Sequence, residues 1–124
     1  RLDGPFAGNF TVWPGTHRLF ETYFREHGPE ILLKEGMPKI EYPEPVQITG
    51  EPGDVVLAHY QLAHAAAPNY SPHVRYACFY RMTRVGRAES DCMEVLTDLW
   101  KEWDGIRDLL PSMISQEPVL AQNR

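Results

Sequence analysis

The sequence predicts a mostly β fold with appended helices, an antiparallel roll or sandwich. Two observations carry this expectation. Five short stretches rich in β-branched and aromatic residues are separated by Gly/Pro turns. Only two regions show apolar residues at three- and four-residue spacing, one after the first strand and one after the last. The 124 residues suffice for one modest domain.

Each element has its own signal. Residues 8–14 (GNFTVWP) read as a strand, ended by the turn Pro14-Gly15-Thr16, with Thr16 a candidate cap for the next helix. Residues 17–27 carry Leu19, Phe20, Tyr23 and Phe24 at helical spacing, and Gly28-Pro29 breaks that helix. Ile31, Leu32 and Leu33 suggest a second short helix, stopped by Gly36. Residues 37–45 hold three prolines and read as a loop. Strands are expected at 46–49, 55–59, 62–66 and 74–84, the last being the longest, with a glycine-bounded turn at 50–54 and a loop at 68–72. Met93, Leu96, Leu99, Trp100 and Trp103 then mark an amphipathic helix over 91–104, ended at the latest by Pro111. The expected division is residues 1–90 as roll and residues 91–124 as a helix and tail packed on it.

Composition excludes several classes. The net charge is −5 and the basic residues are scattered apart from Arg81, Arg84 and Arg87, which argues against nucleic acid as a partner. No apolar run is long enough to span a bilayer and no signal peptide is visible, so the expected location is cytoplasmic, with no membrane partner. Two cysteines, Cys78 and Cys92, do not make a disulfide scaffold, and Cys78 is expected to be a buried thiol.

The chemically informative stretch is 53–81 (GDVVLAHYQLAHAAAPNYSPHVRYACFYR). If residues 68–73 form a hairpin loop, Ala67 pairs with Val74, His64 with Ala77, and Ala66 with Arg75. Opposite side chains share a face, so His64, Ala66, Arg75 and Ala77 would surround one gap. A neutral imidazole is a good Fe(II) ligand, and a guanidinium grips a carboxylate through two parallel hydrogen bonds. Such a pair suits a metal whose further ligand is a dicarboxylate anchored at its far end. The plainer readings are a satisfied core histidine and an arginine paired with an acid from elsewhere.

These residues resemble the phytanoyl-CoA dioxygenase family of Fe(II)- and 2-oxoglutarate-dependent oxygenases over roughly residues 8–82. The matching features are Pro14-Gly15-Thr16-His17 (pattern PG[ST]H), the Gly53-Asp54 turn before an apolar strand, and His64 followed by Pro68-Asn69, Ser71 and Arg75. The resemblance implies a partial double-stranded β-helix (jelly roll, cupin-like). It also implies His64 as the distal iron ligand, Arg75 as the 2-oxoglutarate anchor, and oxidative decarboxylation of 2-oxoglutarate coupled to hydroxylation of a small organic substrate. In the family, the other two metal ligands come from a His-x-Asp (or Glu) motif upstream of PG[ST]H. No histidine here has an acid two residues on; His27 and Glu30 come nearest. The expectation is therefore the C-terminal part of such a domain, inactive as this chain. The alternatives are a non-catalytic jelly-roll binding or scaffold module, or a cupin-like metal-binding protein.

Other candidates are weaker. His59, on the expected strand 55–59, is either a pocket residue or structural. Trp13 and Tyr60 are candidates for a substrate cavity or for core packing, and Ala66 lies where some relatives carry a hydroxyl. His17 is expected to pack near its turn, and Trp100 with Trp103 to form a helix face. A partial roll would expose sheet edges and an apolar face, so a homo-oligomer is expected.

Overall fold

The computed structural model describes residue 2, residues 4–87 and residues 91–109. The elements in order are β1 (Phe10–Val12), α1 (Thr16–His27), α2 (Ile31–Glu35), β2 (Val46–Gln47), β3 (His64–Ala66), α3 (Asp91–Thr97) and α4 (Asp104–Arg107). The strands form one antiparallel sheet in the order β2-β1-β3. The first strand in the sequence is thus the central one, and the fold is a small antiparallel sheet with helices.

β1 is central because the flanking segments extend its pairing at both ends. Ile48 N donates to Phe10 O at 2.8 Å, and Leu2 and Gly50 exchange backbone hydrogen bonds. On the other side, Trp13 N donates to Ala63 O, Ala67 N to Asn9 O, Gly8 N to Pro68 O, and Tyr70 N to Phe6 O. Asn9, fully buried, ties the arrangement together. Its Nδ2 donates to Gly4 O at 3.1 Å and to Ile48 O at 3.0 Å, while its Oδ1 accepts from Ala7 N at 2.9 Å.

The core lies between α1 and α3. Phe20 and Phe24 are buried on one face of α1, and Val95 and Leu99 are buried in the C-terminal segment that packs on it. That face matches the apolar spacing in the sequence. α1 stops at Gly28, whose φ of 83° favours glycine and whose N–H donates to Phe24 O at 3.0 Å. Gly36 closes α2 in the same manner.

Three expectations need correction. Residues 55–59 and 74–84 form no strand. Val55 is 82% exposed and Tyr76 89% exposed. High β-propensity makes a strand only where a neighbour supplies the ladder of hydrogen bonds, and none of the described residues does so. Cys78, on the second of these stretches, is therefore exposed rather than buried. Thr16 does not cap α1 either: Gly15 is the N-cap residue, and no side chain bonds to the first turn.

α3 is shorter than the spacing suggests, and the reason is tertiary. Leu99 N would continue the helix by donating to Val95 O. It donates instead to Glu21 Oε1 at 3.1 Å, and Val95 O accepts from the Tyr60 hydroxyl at 2.7 Å. Likewise Leu96 O accepts from Gln61 Nε2 at 3.0 Å, and Thr97 O from Arg25 Nε at 2.7 Å. Side chains from α1 and from residues 60–61 thus take the carbonyls left open at a helix end. The tail beyond residue 109 lies outside the described residues, and among the described residues no helix is long and apolar enough to cross a membrane.

Replacing Asn9 with Leu orphans three backbone groups in a closed environment. The expected loss is more than about 2 kcal/mol of unfolding free energy, seen as a lower urea midpoint at unchanged slope.

Candidate functional site

The site is built on β1 and β3. Their register pairs Phe10 with Ala66, Thr11 with Ala65 and Val12 with His64. Opposite residues share a face, so Phe10, Val12, His64 and Ala66 lie on one side of the sheet. The Phe10 ring stands 5.3 Å from the His64 imidazole and 6.5 Å from the Phe79 ring, between centroids. The Arg75 guanidinium lies over Phe79 at 5.6 Å, a cation–π distance. Together Phe10, His64, Ala65, Ala66, Arg75 and Phe79 line a shallow cavity of about 110 Å³.

His64 and Arg75 thus face one cavity, but not through the expected register. β3 pairs with β1, and residue 75 is not in a strand. The loop between them is tightened locally. Asn69 Oδ1 accepts from both Ser71 N (3.0 Å) and Ser71 Oγ (2.7 Å), and Asn69 Nδ2 donates to His73 O at 2.9 Å. This side-chain mimic of a turn brings Arg75 back toward β1. Gly8 receives it. A Cβ added to Gly8 would sit 3.4 Å from Arg75 Cδ and 3.5 Å from Asn69 Cβ, and its φ of +75° favours glycine.

The hydrogen bonds of His64 settle its tautomer. Nδ1 lies 2.8 Å from Leu62 O, an acceptor, so Nδ1 carries the proton. The Nε2 lone pair has no partner among the described residues, and the side chain is exposed. A backbone carbonyl holding one ring nitrogen is the usual way an imidazole is aimed at a metal. Arg75 is half-buried and makes no ion pair among the described residues.

β3 is held in place by Thr16. This residue is fully buried; its hydroxyl donates to Trp13 O at 2.7 Å and accepts from Ala63 N at 2.9 Å. The residue before His64 is therefore tied to the end of β1 and the start of α1 at one oxygen atom.

The remaining sequence candidates lie in different places. Ala66 lines the cavity with His64 and Arg75; Ala77 is not among its lining residues. Trp13 packs on Tyr42 at 5.6 Å. His59 and Tyr60 sit against the C-terminal segment. His59 Nε2 bonds to Leu99 O at 3.0 Å, and its ring meets Trp100 edge-on at 5.3 Å. Burial pushes the Tyr60 phenol up to about 12, with the Glu102 carboxylate adding to the shift. The aromatic walls Phe10 and Phe79 are not among the sequence candidates. Phe10 was findable, because it is two residues from Val12 on a strand; Phe79 depends on the loop geometry.

Fe(II) needs more than one protein ligand. Among the described residues no group of three or more His, Cys, Asp or Glu side chains could hold a metal ion. These residues alone do not fit an iron centre.

Two substitutions test this geometry. Thr16→Val leaves Ala63 N without a partner among the described residues and Trp13 O with only the 3.3 Å bond from Thr16 N, and is expected to cost about 1–3 kcal/mol, whereas Thr16→Ser keeps both bonds and costs less than about 1 kcal/mol, by urea unfolding. Gly8→Ala forces an L-residue into the left-handed region and is expected to cost about 1–2 kcal/mol in the same assay.

Residues 5–77, more than half of the chain, match the model of a family described as phytanoyl-CoA dioxygenase (PhyH). No curated protein and no solved structure gives a match. The matched span contains β1, β2, β3, α1, α2 and all of the cavity but Phe79, and ends before α3.

Proposed function

This chain belongs to the phytanoyl-CoA dioxygenase family, and on that premise we propose that the cavity between β1 and residues 75–79 is the 2-oxoglutarate end of an Fe(II)-dependent oxygenase site. Arg75 takes the far (C5) carboxylate of 2-oxoglutarate through its planar fork. His64 offers Nε2 as one iron ligand. The carrying observation is that a guanidinium without an ion pair and an imidazole with a free nitrogen, among the described residues, line one small cavity. Its volume suits one arm of a small acid and falls below the range for larger organic ligands.

In this reading the sheet is part of a double-stranded β-helix, and the exposed apolar stretches 55–57 and 74–82 are strands that pair in the complete roll. A small organic molecule is the substrate. The other two iron ligands are not among the described residues, so the chain by itself binds the acid without oxidising anything. A second reading, a non-catalytic jelly-roll binding module, draws on the same observation: His64 stands without companion metal ligands among the described residues.

Calorimetric titration tests the reading. The chain is expected to bind 2-oxoglutarate, and Arg75→Met to weaken binding by about 10- to 100-fold, the size of a charged hydrogen-bond pair. Unchanged affinity in Arg75→Met contradicts the assignment. Succinate release by the purified chain with iron, lost in His64→Ala, contradicts the inactivity and also separates the two readings.

A further inference from the structure

Several hydrogen bonds join residues 59–61 and α1 to the C-terminal segment, and two histidines stand beside them. His59 has both ring nitrogens engaged. Nε2 donates to Leu99 O at 3.0 Å, and Nδ1 accepts from Gln61 N at 3.2 Å. This pattern admits the neutral ring alone. The His17 ring lies 5.9 Å from that of His59, and His17 Nδ1 is buried without a hydrogen-bond partner among the described residues. A proton placed there would be a buried donor with nothing among them to accept it.

We propose that His59, backed by His17, is a proton-operated latch that releases residues 95–103 from α1 when the pair takes up protons. Protonation of His59 must occur at Nδ1. It turns an acceptor into a donor that faces the Gln61 N–H, and it opposes any charge on His17. The His59 ring anchors a segment that begins at the last residues of α3, whose carbonyls make no helical bonds. Val95, Leu96 and Thr97 give their carbonyls to Tyr60, Gln61 and Arg25. Release therefore costs no helix rungs at those positions, and the freed residues can rejoin a helix or meet water.

The charges around the pair point the same way. Burial lowers the affinity of both rings for a proton; for His17, His59 and Arg18 add to this. Glu21 opposes the shift, as does the Leu99 carbonyl on His59. The Glu21 carboxylate is already engaged by Arg25 at 2.8 Å and Leu99 N at 3.1 Å. Tyr60, with Arg87, Asp98 and Glu102 around it, faces the same contact.

The sign follows from linkage. In the released state both histidines have the ordinary value of 6.5, and in the docked state both lie lower. The released state binds more protons, so docking is fully stable above 6.5 and weakens as pH falls from there toward the docked values. His17 and His59 lie within residues 5–77, which match the family, and the segment they hold lies beyond them.

Hydrogen exchange of the full chain, corrected for intrinsic rates, tests the latch. Protection of residues 95–103 should fall about tenfold between about pH 7.5 and about pH 5. His59→Gln, which keeps a donor for Leu99 O and cannot titrate, should show no such fall. Unchanged wild-type protection, or an equally steep fall in His59→Gln, overturns the proposal. Should that variant fail to fold, the wild-type ring titrations decide by NMR. Midpoints below 6.5 for both histidines are expected, and a midpoint at or above 6.5 for either overturns it.

Discussion

The arrangement depends on the hydroxyl of Thr16. It is fully buried, and it is a side-chain atom shared by the end of β1, the start of α1 and the entry to β3. A hydroxyl can donate and accept at once, which a methyl of the same shape cannot. Because Ala63 N donates to this atom and Ala63 O accepts from Trp13 N, the residue before His64 cannot slide along β1 without breaking both bonds. Gly15, at φ 82°, turns the chain sharply enough for the hydroxyl to point back at the sheet. Thr16 is thus a joint between strand and helix rather than a side-chain helix cap.

From that joint α1 carries the protein's interior. Phe20, Phe24, Val95 and Leu99 are all buried where α1 packs on α3 and the residues after it, while Glu21 and Arg25 reach the backbone at the end of α3. Burial and capping act together here. The apolar pairs draw the segment in, and the polar side chains take up the backbone groups that the segment's irregular path leaves open. The result links residues 95–103 to residues 59–61, a few positions before the cavity.

Much of this was legible in the sequence where local signals agree with the fold. The periodicity of Phe20 and Phe24, the glycines after α1 and α2, and the β-prone stretch at 10–12 each point to the element that forms. His64 and Arg75 do line one cavity, although the hairpin register read from the sequence does not form. Features that depend on partners distant in sequence were not legible. Residues 55–59 and 74–84 have strand-forming side chains, but strands need neighbours, and the described residues supply none. The pairing of β3 with β1 rather than with residue 75 follows from Asn9, Thr16 and the Asn69 turn acting together, and no two-strand pattern encodes it. Phe79 enters the cavity through that same turn. The shortening of α3 arises from Tyr60, Gln61 and Arg25, whose reach to residues 95–97 has no sequence periodicity.

The chemistry of the cavity is correspondingly partial. In the proposed reading Arg75 offers a fork for a carboxylate and His64 one nitrogen for a metal; both line a cavity with Phe10 and Phe79 as aromatic walls. The direct test of this account is an NMR titration of the chain with 2-oxoglutarate. The Arg75 Nε–H and the His64 ring signals should move together and saturate at one concentration, while His17 and His59 stay in place. Shifts centred on His59, or none at Arg75, would contradict it.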